Sequence, residues 1–312
     1  MTVAVIRPPA LRQGDLVALV APAGPLKSAE DVQRAVLNVE NLGYRATVGE
    51  HALARYGHVA GTDAQRAADF NAAVNDPDVR AIFALRGGYG TMRILHAIDY
   101  HALRAHPKIV LGYSDLTALL NTISQRSGIA TFHGPVAAVS AFTPKVVEWL
   151  KRAIEVPEPM GILEFAGAQS ITGPGKATGR LSGGNLTLLA ALSGTPYEVQ
   201  MDGVVFLEEV DEPPYRIDRL LTQLRLSGAF EPSVGILVGQ CARCERSDDA
   251  TATSLTLDET LRDRLAGSPS VVVTGAPIGH IDEQWTLPIG VHASLDGVTG
   301  TLTIEEPAVS HR

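Results

Sequence analysis

Cysteine is scarce in this chain: two residues in 312, Cys241 and Cys244, in the order Cys-Ala-Arg-Cys. That scarcity excludes a disulfide framework, which needs several pairs. A lone C-x-x-C can be half of a zinc site or a redox pair, but there is no second pair, and the histidines near it in sequence are too few to complete a tetrahedral site. Two thiols on a surface loop in a reducing compartment are expected, with no metal and no other cofactor. Basic charge is also short, 26 Lys and Arg against 34 Asp and Glu, for a net charge of −8 without blocks of one sign. A nucleic-acid partner would need a clustered basic surface, so none is expected. No apolar run approaches the ~18 residues of a membrane span. The opening Met-Thr-Val-Ala-Val-Ile-Arg-Pro-Pro lacks the basic region and apolar core of a signal peptide. A cytoplasmic protein without a membrane partner is the expectation.

What the chain does have is alternation. Asp15-Leu-Val-Ala-Leu-Val-Ala-Pro-Ala-Gly-Pro is a continuous apolar run ending in Pro and Gly, the pattern of a parallel strand covered on both faces. A helix follows, with Ser28 as N-cap, Asp31 three positions on, apolar residues at Val32, Val36, Val39 and Leu42, and Gly43 as its stop. Next come a short strand from Tyr44, a helix capped by Thr62 or Asp63, a strand at Val79-Arg-Ala-Ile-Phe-Ala-Leu, a helix over 92–98 and a strand at Lys108-Ile-Val-Leu-Gly. Strands alternating with helices at this spacing predict a parallel sheet of the flavodoxin or Rossmann kind. Function in such sheets lies beyond the carboxyl ends of the strands, which gathers the loops 21–25, 86–91 and 112–115. The alternation continues through Thr131-Phe-His-Gly-Pro-Val and a helix over 145–154. The boundaries read as an N-terminal α/β domain over 1–154, a Pro- and Gly-rich linker over 155–175, and a C-terminal domain over 176–312. In the second half, strands are expected at Gly203-Val-Val-Phe-Leu-Glu-Glu-Val, Val234-Gly-Ile-Leu-Val-Gly and Val271-Val-Val-Thr-Gly. Helices are expected at 186–192, 216–226 and 257–265, and the segments 286–289 and 298–304 close a mixed sheet there.

Chemistry concentrates at three strand ends. The strand at Lys108 stops on Gly112-Tyr113 and turns into the helix beginning Asp115-Leu-Thr, with Ser114 at the corner. That is the arrangement of a nucleophile elbow, although Leu116 stands where such motifs carry a second glycine. On local sequence alone, Ser114 and Asp115 also read as plain helix caps. In Val205-Phe-Leu-Glu208-Glu209 a carboxylate follows three apolar residues. Strand alternation sends the two glutamates to opposite faces, so one of them is buried or lines a cleft and needs a partner, His280 or an Arg such as Arg216. His280 sits on a Gly-flanked turn, Ala276-Pro-Ile-Gly-His-Ile-Asp. Hydroxyl, carboxylate and imidazole are the parts of an acyl-transfer triad, in the order Ser, Glu, His.

Five segments, Leu85-Arg-Gly-Gly-Tyr-Gly-Thr, Leu111-Gly-Tyr-Ser-Asp-Leu-Thr, Gly179-Arg-Leu-Ser-Gly-Gly-Asn-Leu-Thr-Leu-Leu, Phe206-Leu-Glu-Glu-Val-Asp-Glu-Pro-Pro-Tyr-Arg-Ile-Asp-Arg and Gly279-His-Ile-Asp, together resemble the LD-carboxypeptidase family of serine peptidases. That family includes murein tetrapeptide carboxypeptidases and microcin C immunity peptidases. The resemblance implies a parallel-sheet N-terminal domain, a β-rich swivelling C-terminal domain, and a triad of Ser114 as nucleophile, Glu208 as acid and His280 as base. It also implies a homodimer. The oxyanion hole is expected from backbone N–H groups of Asp115 and of Gly87 or Gly88, with Gly88 the preferred donor, because a glycine backbone can approach the reacting carbonyl. Arg86, with Gly87, is expected to bind the substrate's terminal carboxylate. Arg180-Leu-Ser-Gly-Gly-Asn-Leu is more like the murein enzymes, which release the terminal D-alanine of a muropeptide tetrapeptide during wall recycling. The alternatives are an immunity-type peptidase acting on aminoacyl sulfamoyl adenylates and a non-catalytic small-molecule binding module.

Overall fold

The computed structural model describes residues 5–245 and 254–312, and the chain divides into two compact units. The first comprises the residues up to Glu158 together with Trp285–Gly290 and Pro307–Arg312. Its strands β1 (Leu16–Val20), β2 (Arg45–Val48), β3 (Val79–Ala84), β4 (Ile109–Gly112) and β5 (Thr131–His133) are parallel and lie in the order β2-β1-β3-β4-β5. This is the doubly wound order whose switch point lies between β1 and β3. Its helices are α1 (Ala29–Asn41), α2 (Asp63–Asn75), α3 (Tyr100–Ala105), α4 (Leu116–Ser127) and α5 (Pro144–Glu155). Apolar residues dominate β1, β3 and β4, and Val17, Leu19, Ile82, Phe83, Val110 and Leu111 are all buried, as strands covered on both faces require.

Local chemistry sets the helix starts. Asp31 accepts from the Ser28 N–H (3.3 Å) at the head of α1. At α2 it is Thr62 that caps: its hydroxyl accepts from the Gln65 N–H (3.2 Å) while Gln65 Oε1 accepts from the Thr62 N–H (2.9 Å). The helix expected over 92–98 is instead a 3-10 helix over Thr91–Ala97. It is held at its first residue by Asp115 and ends on extended backbone at Ile98. Helix α3 was not expected from the sequence; Asp99 caps it by accepting from the Ala102 N–H (2.8 Å).

The second unit comprises Pro159–Gln284 and Val291–Glu306. Its strands are β6 (Gly161–Leu163), β7 (Gln169–Ser170), β8 (Lys176–Asn185), β9 (Val204–Val210), β10 (Gly235–Ala242), β11 (Val271–Thr274), β13 (His292–Asp296) and β14 (Thr301–Ile304), in the order β6-β14-β13-β8-β9-β10-β11-β7. The run β8-β9-β10-β11 is parallel, with helices α6 (Leu186–Leu192), α7 (Pro214–Leu226) and α8 (Leu257–Leu265) as the successive crossovers; the flanking pairs are antiparallel. Residues 155–175, read from sequence as a linker, therefore carry β6 and β7, the two outermost strands of this sheet.

One segment crosses between the units. Residues 286–289, expected in the second sheet, form β12 (Leu287–Ile289), which pairs antiparallel with β5 at the edge of the first sheet. Trp285 anchors this return: it is buried and stands edge-on to Trp149 of α5, with centroids 5.9 Å apart. Trp285→Ala is expected to destabilise the first unit by about 3–5 kcal/mol, seen as a lower urea midpoint for loss of the tertiary circular dichroism signal.

Candidate active site

In the first unit, the site is built from backbone. Ser114 has φ +65°, left-handed for a residue with a side chain, between the end of β4 and the start of α4. Such a conformation costs about 1–2 kcal/mol and persists only where surroundings impose it. Here the Thr117 N–H donates to Ser114 O (2.9 Å), so the helix ladder begins on the strained residue itself. Against it lies Gly87. A Cβ there would stand 3.0 Å from Ser114 Cβ and 3.2 Å from Oγ, so a side chain at position 87 would crowd the hydroxyl. The loop 21–25 joins them, the Gly24 N–H donating to Gly87 O (3.0 Å). Three expected loops thus meet at the carboxyl ends of β1, β3 and β4. Gly88 follows with φ +114°. Arg86 is exposed and donates from Nη1 to Pro25 O (2.7 Å).

Two buried charged side chains lock these loops: Asp115, expected from sequence only as a helix cap and a backbone donor, and Arg66, which the sequence does not single out. The buried Asp115 carboxylate accepts from the Thr91 N–H (2.8 Å), and its main-chain oxygen accepts from the Thr91 hydroxyl. Arg66, also buried, donates from Nη1 to Pro22 O (2.6 Å) and to Gly90 O (2.8 Å), and from Nη2 to Asp63. Arg66 reads in sequence as one more polar residue of an amphipathic helix, and only the fold reveals that it faces inward.

In the second unit, the site is built from side chains. Glu208 on β9 has no exposed surface, and its Oε2 lies 2.8 Å from His280 Nδ1. With the carboxylate as acceptor, Nδ1 carries the proton, which leaves Nε2 as the basic nitrogen. Gly279 makes the contact possible. It has φ +110°, and a Cβ there would fall 2.7 Å from Glu208 Oε2. Glu209 is buried as well, because the opposite face of β9 is covered by α6. Its oxygens accept from Asn185 Nδ2 (2.8 Å), the Thr187 N–H (2.8 Å), the Thr187 hydroxyl (2.7 Å) and the Val210 N–H (2.9 Å). It therefore serves the start of α6, while Arg216 pairs with Glu212 (3.1 Å). The cysteines are not on a surface loop. Because β10 runs on to Ala242, Cys241 lies near the end of a strand beside Glu209, and Cys244 is buried, its Sγ donating to Ala242 O (3.5 Å). Among the described residues no three His, Cys, Asp or Glu side chains are grouped to hold a metal ion, and no helix is long and apolar enough to cross a membrane.

Burial pushes the Asp115 carboxyl above its ordinary range, against the opposing pull of its hydrogen bonds to Thr91 and Gly90 and of the Arg66 charge. A raised carboxyl binds its proton more tightly folded than unfolded, so its contribution to stability is present at low pH and is lost as pH rises through the folded pKa. Asp115→Asn, which keeps an acceptor oxygen without the titration, is expected to gain melting temperature relative to the parent between about pH 4 and about pH 7. Parallel thermal melts at the two pH values check this, and a constant difference refutes it.

Known proteins share this chain's sequence and fold. Residues 17–134 match the LD-carboxypeptidase N-terminal domain and residues 178–295 the LD-carboxypeptidase C-terminal domain. SCO6489 of Streptomyces coelicolor is 40% identical, with 97% of each chain covered. The murein tetrapeptide carboxypeptidase of Pseudomonas aeruginosa is 33% identical over 90% of this chain and 93% of its own. Among solved structures, MccF in complex with glutamyl sulfamoyl guanosine superposes with a TM-score of 0.87 at 25% identity, covering 97% of this chain and 99% of that one. With both domain models matched in order across most of its length, the chain belongs to the LD-carboxypeptidase family and is a carboxypeptidase.

Proposed function

We propose that the enzyme is a serine LD-carboxypeptidase that releases the C-terminal D-alanine of a murein tetrapeptide, acting as a cytoplasmic homodimer in wall recycling. The observation that carries the reading is the fully buried Glu208 carboxylate bonded to His280 Nδ1 at 2.8 Å. An imidazole oriented by a desolvated carboxylate is the general base that a hydroxyl nucleophile uses in an acyl-transfer triad. Support for the substrate comes from the Pseudomonas relative, whose name specifies a murein tetrapeptide.

In this reading His280 Nε2 takes the proton of Ser114 Oγ as the oxygen attacks the carbonyl of the L,D bond. The oxyanion is received by the N–H groups of Asp115 and Gly88. His280 then passes the proton to the departing amine of D-alanine, and water resolves the acyl-enzyme by the same route. Glu208 holds the imidazole in the tautomer with Nδ1 protonated and stabilises the imidazolium. Arg86, beside Gly87, meets the terminal carboxylate.

Incubation with a muropeptide tetrapeptide is expected to remove one alanine by mass spectrometry, unaffected by chelators. Ser114→Ala is expected to lower kcat by about 10⁴-fold or more while retaining the parent's circular dichroism spectrum. Turnover by that variant would reject the nucleophile. Cleavage of an aminoacyl sulfamoyl adenosine, with the tetrapeptide left intact, would assign the immunity-type activity instead. If an active-site serine reagent fails to label Ser114 and neither substrate is cleaved, the binding-module reading replaces both.

A further inference from the structure

The strand next to the Glu208 strand carries a side chain that the reaction above does not use. β10 runs parallel to β9 and loses its register with β9 between Val238 and Cys241. At that irregularity it meets the segment 275–280, which ends on His280. The Gln240 N–H donates to Ile278 O (2.9 Å), and Nε2 donates to Gly275 O (3.0 Å) and to Ala276 O (3.3 Å). A Cβ on Gly279 would stand 3.2 Å from Gln240 O, and one on Gly239 would stand 2.7 Å from Ile278 O. The segment itself lies outside helix and strand and contains Pro277 and two left-handed glycines, Gly275 and Gly279. Its path is therefore dictated by what it is bonded to.

We propose that Gln240 is a positioning residue for His280, its main-chain N–H and side-chain amide fixing the loop that presents the imidazole to Glu208. The inference rests on the role given to His280 above. The residue type fits the task. Nε2 carries two N–H donors, one for each of the two carbonyls, with no charge added beside Glu208. A glutamate would turn acceptors toward acceptors, and a leucine or methionine would leave both carbonyls without that donor. Alignment matters because displacement of a catalytic group by about 1 Å costs on the order of 100-fold in rate.

The test compares Gln240→Met, which keeps the length and removes the donors, with the parent enzyme. Three quantities are read: kcat and KM on the muropeptide tetrapeptide, the thermal midpoint, and the proton resonance of the His280 Nδ1–H, assigned by its loss in His280→Gln. The expected result is a kcat lower by about 10- to 100-fold, KM within about twofold, and a shifted or broadened Nδ1 proton. An unmoved resonance with parental kcat overturns the proposal. So does a lowered thermal midpoint with the resonance unmoved, which would make Gln240 structural only. Should Gln240→Met fail to fold, Gln240→Asn retains the donors with a reach shorter by one methylene, and the same resonance decides. If the parent cleaves no tetrapeptide, the substrate reading fails by itself, while the resonance comparison still reports on the positioning.

Discussion

A carboxyl group withdrawn entirely from water needs a hydrogen-bond partner, and for Glu208 that partner, at Oε2, is His280 Nδ1. Much of the second unit follows from it. Position 279 must lack a side chain, because the space a Cβ would occupy is taken by the Glu208 carboxylate. The neighbouring Glu209 must point the other way, since adjacent strand residues face opposite sides, and there it finds its own set of donors at the head of α6. Burial raises the Glu209 carboxyl above its ordinary range, with those donors pulling in the opposite direction. Two consecutive glutamates thus hold two different structures, one an imidazole and the other a helix terminus.

The first unit solves a different problem with different means. There the unusual group is a backbone conformation, the left-handed Ser114, and what holds it is a set of main-chain bonds backed by buried charge. Asp115 ties the elbow to Thr91, and Arg66 ties the loops at Pro22 and Gly90 to each other. Arg66 in turn is answered by Asp63, which also pairs with Arg93. Removing Arg66 or Asp115, the buried members of this set, leaves main-chain groups without their partners, a larger effect than the loss of a single surface ion pair. The loops are therefore coupled although they come from separate parts of the chain.

The parallel sheet was legible because its central strands β1, β3 and β4 are largely apolar and its helices carry explicit caps at Ser28 and Thr62. The elbow was legible because a buried strand, a hydroxyl and a helix start follow one another within a few residues. Less visible was β8, whose Lys176-Ala-Thr-Gly-Arg-Leu-Ser-Gly-Gly-Asn has neither alternation nor β-branched density and is made a strand by pairing with β13 and β9. Nor could local pattern place β12, since three apolar residues read alike in either sheet and the burial of Trp285 is a tertiary fact. Side chains acting on distant main-chain oxygens, as Arg66 and Gln240 do, leave no periodic trace at all.

The missing second glycine of the elbow has a physical explanation. In the general pattern a small residue two positions after the nucleophile lets the helix pack closely on the strand before it. Here that position is Leu116, and the space lies on the opposite side of the contact: a Cβ on Gly112 would come within 2.8 Å of Leu116 Cγ. One glycine at the strand end does the work of two, and the leucine gains a buried site in exchange. Between Ser114 and Leu116 stands a position that the pattern leaves open to any residue. Asp115 occupies it, and its carboxylate reaches across to Thr91 and fastens the glycine-rich loop beside the serine. Asp115 is thus what couples the elbow to that loop.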